Sequence, residues 1–429
     1  MRRRVVITGM GVVTPLGHTV AELFAAQAEG RTAAGPITRF DARGLSTTFA
    51  SEVKNFDLHR YLKDADRFAH SGLNTKFAIG AAKQAIEDAG LLDAGRGDRS
   101  RFGVYFGVGE GQDNFPALVN SAAAAAVTGD RADSARFITA IGPVLDSRAE
   151  TEVEMHTTVG HLANLFALDG PNASCLTACA AGSQAVGEAL ELIRAGDADA
   201  MLAGGSQSML HPLGVAGFTR LGALSHRNAS PATASRPFDL TRDGFVIGEG
   251  AGVVILEELE HAKARGATIY AELTGYGSTA DAYRMTDPHP SGKGAIRCMA
   301  NALTDANLNP TDIGYINAHG TSTAANDAME TNAIKSLFGE SARKVPVSST
   351  KSMLGHLIAA AGVVELVTAV MAIRNGVLPP TTNYATPDPA CDLDYIPNVA
   401  REVRVDHVLS NSFGFGGQNV ALAVSRFRG

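Results

Sequence analysis

The second half of this 429-residue chain repeats the plan of the first, and that repetition limits the fold more than any other feature. Residues 4–17 read as a buried strand, Val5-Val6-Ile7-Thr8, running into a glycine turn; residues 269–277 repeat it and end on Gly275-Tyr276-Gly277. Helical spacing over 20–28 and 74–89 is followed by a buried strand at 102–108, just as helical spacing over 295–306 is followed by one at 313–320. Glycine-joined strands expected at 243–257 have their echo in the last 20 residues. Strands alternating with helices predict an α/β fold of mixed, mostly parallel sheets covered by helices. Two similar halves, 1–262 and 263–429, predict one pseudo-twofold body joined at the polar stretch 261–266. Residues 112–160 interrupt the pattern and read as an insertion. Gly9-x-Gly11 invites a dinucleotide reading, but Thr14 stands where the third glycine is needed.

Within that frame, Ser174-Cys175-Leu176-Thr177-Ala178-Cys179-Ala180-Ala181-Gly182 places Cys179 at a strand-to-helix junction. The helix that follows, ending at Gly196, presents unpaired N–H groups and a partial positive charge, which favour a thiolate. The small neighbours leave room for a substrate at sulfur. An inert, buried cysteine is the plain structural reading of the same stretch.

Composition removes several function classes. The formal charge of −7 argues against a broad basic surface for nucleic acid. Four cysteines, two of them four residues apart, supply neither a disulfide framework nor a zinc ribbon, and suit a reducing cytoplasm. Arg2-Arg3-Arg4 runs into a strand and a glycine turn rather than a signal-peptide core, and the apolar run 357–373 contains Glu365, so a buried helix is expected there and no membrane partner.

The duplication brings Cys179, His319 and His356 to comparable sheet ends. One cysteine with two histidines admits a hydrolytic, a metal or a carbon–carbon condensing site. The surrounding motifs, His319-Gly320-Thr321-Ser322-Thr323, Lys351-Ser352-Met353-Leu354-Gly355-His356, Asn411-Ser412-Phe413-Gly414-Phe415-Gly416-Gly417 and Arg236-Pro237-Phe238-Asp239, resemble the β-ketoacyl-acyl carrier protein synthases, the elongating synthase II type above all. The resemblance runs through essentially the whole chain. It implies a thiolase-like, five-layered αβαβα fold, a homodimer, and an acyl carrier protein as partner. It also implies decarboxylative condensation of a Cys-bound acyl group with malonyl-carrier in fatty acid elongation.

Carried over by motif, Cys179 is the acylated nucleophile, His319 and His356 the paired histidines, and Lys351 the lysine beside them, with Glu330 as its acid. Phe415 matches the gating phenylalanine. Thr321 and Thr323 match pantetheine contacts, with Thr286 and Phe413 near the same channel. Asn317, Glu365, Ser410 and Asn411 match a monovalent cation site whose plain reading is polar structure beneath the active site. No redox or organic cofactor is required. The chemistry suits these residues: acyl transfer needs a nucleophilic sulfur and an oxyanion hole, for which the N–H groups of Cys179 and Phe415 are expected. Loss of CO₂ leaves an enolate oxygen, to which two neutral histidines donate.

Some positions depart from the family pattern. Asp287 replaces a small hydroxyl residue, and Ala324-Ala325-Asn326 stands where a proline is usual. Residues 64–70 hold one arginine where basic residues are common, and Asp146, Glu150, Glu152 and Glu154 add acid nearby, which points to a re-sited or specialised carrier. Glu110, in Gly107-Val108-Gly109-Glu110-Gly111, falls where family members line the inner acyl pocket with a small or apolar residue; it either limits the chain, reads a polar tail, or turns away to solvent or a dimer partner. A silent partner subunit, a malonyl-carrier decarboxylase and a condensing enzyme of a specialised lipid or polyketide pathway remain as alternatives. Cys179 with both histidines argues against the first.

Overall fold

The computed structural model describes residues 2–91, 98–111, 114–127 and 131–429. Its framework is a ten-stranded sheet: β1 Val5–Val13, β2 Phe102–Val108, β3 Asn172–Cys175, β4 Ala200–Gln207, β5 Gly250–Glu258, β6 Ala271–Ala280, β7 Tyr315–Asn317, β8 Val347–Ser348, β9 His407–Gly414 and β10 Gln418–Ser425. The spatial order is β3-β2-β4-β5-β1 followed by β6-β10-β9-β7-β8. The second five strands thus repeat the first five in mirror order about the β1–β6 seam. That seam is narrow, with only Val6 opposite Glu272 and Ile7 opposite Ala271.

The expectation of mostly parallel strands is corrected. The outer strands, β3-β2-β4 and β8-β7-β9, are parallel, whereas β4-β5-β1-β6-β10-β9 run antiparallel. Sequence spacing shows strand against helix but not strand direction. The short turn Phe415–Gly417 joins antiparallel β9 and β10, but β4 and β5 are antiparallel too, across a long connection that contains the helix Pro212–Arg220.

Helices complete five layers. On one outer face α1 (Leu73–Ala89) packs on β1, β5 and β4, and α2 (Met155–Phe166) packs on β2 and β3. Between the two half-sheets lie α3 (Ala181–Ala195) and α6 (Ala361–Asn375), which touch each other and strands of both halves. On the far face α4 (Lys293–Asp305) covers β6 and β10 and carries α5 (Ala324–Phe338). Three of the apolar clusters follow these layers: one around α1 and α2, one around α4 and α5, and a central one joining Val186, Leu190, Val363 and Val367. Residues 357–373 are a buried helix as expected: Ile358–Asn375 is apolar and long enough to span a bilayer, but 83% of it is buried in the fold.

Three further expectations change. Residues 243–249 form no strand of the ladder; Phe245 N–H donates to Ala223 O, and Gly248 N–H to His356 O, so the segment ties neighbouring loops together. Much of 112–160 is helical, and α2 is a core layer through Val159, Leu162 and Phe166. The helices Phe115–Ala125, Ser134–Ile141 and Ser147–Val153 are the insertion, with few buried residues. Residues 112–113 and 128–130 of that stretch lie outside the described residues. Finally, Ser348 to Lys351, which the duplication predicts to open a small-residue helix as Ser174 to Thr177 does, leads only into the four-residue helix Lys351–Leu354. The counterpart of the Cys179 junction is a later turn, Ile358–Ala360, which opens α6 as Ala178–Ala180 opens α3. Ala178 and Ile358 share a left-handed φ, +48° and +50°, and α3 and α6 are each 15 residues ending at a left-handed glycine, Gly196 and Gly376.

These two turns meet at backbone distance. A Cβ on Gly182 would stand 2.6 Å from the Ala359 carbonyl oxygen, and one on Gly205 2.5 Å from the same atom. Gly182→Ala is therefore expected to destabilise the protein by about 1–3 kcal/mol through overpacking against backbone. Gly160→Ala, in α2 with nothing within 4 Å of the new methyl, should instead be neutral or gain about 0.5–1 kcal/mol. Urea unfolding of the two variants checks the contrast.

Candidate active site

Cys179 lies in the 3₁₀ turn Ala178–Ala180, 6% exposed, with its sulfur at the meeting of two cavities. The left-handed Ala178 costs roughly 1–2 kcal/mol and turns the chain sharply from β3 into α3, which thrusts the next side chain outward. The end of β9 closes over this turn. Gly414 permits it, since a Cβ there would lie 3.0 Å from Thr177 O and 3.3 Å from Cys179 N. The backbone N–H groups of Phe415 and of Cys179 itself both reach the sulfur.

His319 follows β7, in a loop whose shape is fixed by a carboxylate from α5. Glu330 accepts from the N–H of His319 (2.9 Å) and of Gly320 (2.8 Å), and also from Asn411 Nδ2 (3.2 Å). His356 follows Gly355 (φ +70°), and its N–H donates to Val246 O at 2.7 Å. One side-chain atom from each of Cys179, His319 and His356 lies within 4.8 Å of the other two. The imidazole rings stand edge to face, 5.4 Å apart at 83°. Phe245 braces His356 at 5.2 Å, and Phe413 braces His319 at 6.0 Å.

The hydrogen bonds assign a tautomer to His356. The N–H of Ile358 donates to its Nδ1 at 3.2 Å, so the proton sits on Nε2. That Nε2–H, and Nδ1 of His319, are buried without a hydrogen-bond partner among the described residues. Burial and the nearby Lys351 charge hold both imidazoles well below the usual histidine pKa, so they are neutral at physiological pH.

Burial also corrects the thiolate expectation. It pushes the Cys179 thiol up to about 11, against the pull of the Phe415 N–H and the Lys351 charge. A helix terminus supplies at most about 2 kcal/mol, whereas full desolvation shifts such groups by up to about 3–5 pK units. Cys179 rests as a thiol.

The acid paired with Lys351 is also corrected. Nζ bonds Glu365 of α6, not Glu330, which faces the His319 loop. Burial pushes the Glu365 carboxyl up to about 7. Of the four residues matched to a cation site, three converge. Asn317 and Ser410 are register partners on adjacent strands, and Asn317 Nδ2 lies 3.4 Å from Glu365 O. Asn411, one residue along β9, projects to the opposite face, against Met299 and Glu330.

One cavity, about 280 Å³, leads from Cys179 and the histidines past Phe413, Thr321, Thr323, Thr286 and Asp287. Thr321 and Thr323 share a 2.9 Å hydroxyl bond inside it. The departures Ala324, Ala325 and Asn326 line it too, as the first turn of α5. The second cavity, about 380 Å³, runs behind the sulfur among Met209, Phe218, Ile358, Gln207 and Glu110. Phe415 borders both, which suits a gate. Gln207 and the lining at Met209 and Phe218 carry no motif that singles them out in sequence.

With this geometry in view, the comparisons decide the family. A model of the β-ketoacyl synthase N-terminal domain matches residues 2–262, and one of the C-terminal domain matches 270–385. The chain belongs to the β-ketoacyl synthases. It is 47% identical over 430 residues to the 3-oxoacyl-[acyl-carrier-protein] synthase 2 of Coxiella burnetii (strain RSA 493 / Nine Mile phase I), covering 99% of both chains. It superposes on a β-ketoacyl synthase from Burkholderia phymatum STM815 with a TM-score of 0.88 and 38% identity, covering 99% of this chain and 100% of that one. It superposes as well on a chain of a type II polyketide ketosynthase in complex with its acyl-carrier protein and bound to the hexaketide (TM-score 0.86, 37% identity, 100% of both chains). The fold is that of these condensing enzymes, two pseudo-symmetric halves in five layers.

The electrostatics are testable. The His319 and His356 imidazole resonances should stay those of the neutral ring as pH falls through the ordinary value near 6.5. Because the unfolded chain binds protons there that the folded site refuses, stability should fall as pH drops below about 6.5. Replacing both histidines by asparagine should flatten that slope. NMR titration and denaturation at several pH values measure the two effects.

Proposed function

We propose that this synthase condenses a Cys179-bound acyl group with a malonyl group held on an acyl carrier protein, as in fatty acid elongation. The observation that carries the reading is the convergence of Cys179, His319 and His356 where two cavities meet, one for an incoming arm and one for an acyl chain. The family match sets the hydrolytic reading aside. Lys351 beside the triad disfavours a divalent cation, which sets the metal reading aside.

In the first half-reaction the carrier thioester carbonyl approaches Sγ, and its oxygen enters the space addressed by the N–H groups of Cys179 and Phe415. The sulfur proton leaves for a neutral imidazole and goes on to the departing carrier thiol, so the neutral resting state is competent. The acyl–Sγ bond forms as the carrier thioester bond breaks. Malonyl-carrier then enters by the channel of Thr321 and Thr323. Its C–CO₂ bond breaks, and the electron pair moves toward the thioester oxygen, to which the histidine N–H groups donate. The carbanion attacks the acyl carbonyl, the new C–C bond forms as the acyl–Sγ bond breaks, and Sγ leaves with its electron pair and takes a proton from solvent. The 3-oxoacyl product leaves on the carrier.

The residues also fit a monovalent cation. Asn317 Oδ1, Ser410 Oγ and Glu365 Oε2 are buried acceptors without hydrogen-bond partners among the described residues. Leaving each so costs about 1–3 kcal/mol. Hard oxygen donors carrying one carboxylate, itself shared with Lys351, suit potassium or sodium rather than a divalent ion. Held there, the ion would fix Glu365 and through it Lys351. Thermal unfolding should shift upward in potassium or sodium relative to choline at equal ionic strength.

A homodimer belongs to the same reading. β3 is an edge strand with an alternately exposed face, and Leu176 and Leu213 are exposed near it, 45% and 42%. The cytoplasm is the proposed location, since all four cysteines are free.

Cys179→Ala should abolish acyl transfer and condensation, and Cys175, at the end of β3 with its thiol pushed up to about 12, should not replace it. Removing either histidine side chain should cost roughly 3 kcal/mol in malonyl decarboxylation, with acylation less affected. Intact-mass analysis and CO₂ release separate the two steps. Acyl loading of the Cys179→Ala variant, or normal decarboxylation in both histidine variants, would refute the assignments.

A further inference from the structure

The cavity behind Cys179 is lined mostly by apolar side chains, Leu176, Met209, Phe218 and Ile358 among them, with Glu110, Gln207 and Gln418 as its polar ones. Gln207, the last residue of β4, is fully buried in its wall. Both its amide oxygen and its amide nitrogen lack a hydrogen-bond partner among the described residues. The amide presses on the backbone of residue 109: a Cβ on Gly109 would stand 1.4 Å from Gln207 Oε1, so only glycine leaves room for it. The next residue, Glu110, lines the same cavity from an exposed position. A dry, unpaired primary amide is costly, and it is costly whenever a saturated acyl chain fills the cavity against it.

We propose that Gln207 and Glu110 make this synthase selective for acyl groups that carry a hydroxyl on the part of the chain this cavity holds. The inference rests on the reading that Cys179 accepts the acyl group. A hydroxyl is the smallest group that both donates and accepts, so one oxygen satisfies both halves of the Gln207 amide. It donates to Oε1 or to the Glu110 carboxylate while it accepts from Nε2. A keto group satisfies only the amide nitrogen. A terminal carboxylate likewise only accepts, and it brings a second negative charge to Glu110. A methyl end satisfies neither. Sites built to hydrogen-bond a substrate hydroxyl discriminate strongly against the analogue without it, because their own polar groups are then left unpaired.

The test offers the full-length protein matched saturated, ω-hydroxy and ω-carboxy acyl groups, butanoyl through dodecanoyl, on phosphopantetheinylated carrier, and follows loading of Cys179 by intact mass. At the best-accepted length the ω-hydroxyacyl group is expected to load at least tenfold faster than its saturated match, and the carboxylated one slowest. Gln207→Met, similar in length but apolar, should bring the hydroxyl-to-saturated ratio near one, with folding checked by thermal unfolding. Should that variant not fold, Gln207→Leu removes both donor and acceptor and should lower the same ratio. Glu110→Gln, at an exposed position, should raise loading of the carboxylated series. Saturated groups loading as fast as hydroxylated ones at every length, or carboxylated groups loading fastest, would overturn the proposal while leaving acyl transfer to Cys179 intact. An unchanged ratio in the Gln207 variants would do the same. Failure of every acyl group to load overturns the acyl-transfer reading, and this proposal with it.

Discussion

The structure depends on a close approach of two backbones at its centre. Gly182, Gly205 and the Ala359 carbonyl lie so near that no side chain fits between them. That contact brings the first turns of α3 and α6 together, one from each half of the chain. Helices meeting this way direct their partially positive ends toward a common space, an arrangement that is unfavourable in itself. It becomes useful where negative charge develops, first on a tetrahedral oxyanion and then on an enolate. Duplication supplies the geometry, and divergence supplies the chemistry: one turn carries Cys179, and the matching turn carries Ala359, whose methyl and carbonyl only have to pack.

Burial acts on every titratable group of the site in the same sense, toward the neutral form. The thiol is raised and both imidazoles are lowered, for the one reason that charge is poorly solvated there. The formal charges left beside the reacting atoms are Lys351 and the carboxylate it binds. Neutral histidines are the form that can donate to an enolate oxygen without first losing a proton. A resting thiolate would work against this, since its charge would draw protons onto the rings. The raised thiol and the lowered imidazoles are therefore one design, with charge appearing only as bonds change.

Much of this was legible in the sequence, because what mattered was local. The junction at Cys179 shows in a turn signal, a run of small residues and a helical spacing. The pairing of halves shows in repeated strand–glycine patterns, and the three reacting residues follow from motifs that keep their order. What the sequence hid was relational. Strand direction in the middle of the sheet depends on which strands pair across it, and 243–249 looks like a strand because its residues are apolar, although its hydrogen bonds go one by one to separate loops. The 112–160 stretch looked irregular because alanine-rich and acidic helices lack a clear apolar stripe, yet α2 buries Val159, Leu162 and Phe166.

The exchange of Glu330 for Glu365 shows the same limit, and also the signal that resolves it. Motif order places Glu330 near His319 and Lys351 alike, and a carboxylate can serve only what it reaches. α5 lies on the outer face, so Glu330 meets the His319 loop from outside and holds it by two N–H groups. Lys351 points inward, between the half-sheets, where it meets the carboxylate on the buried helix α6. Glu365 was visible from the start as the single acidic residue in an apolar run. An acid there is too costly to leave unpaired, so its presence requires a cation from elsewhere in the chain. Breaking such a pair from one side strands the other charge in the dry interior, which ties the position of Lys351, and hence the field felt by both histidines, to one residue of a helix that never touches the substrate.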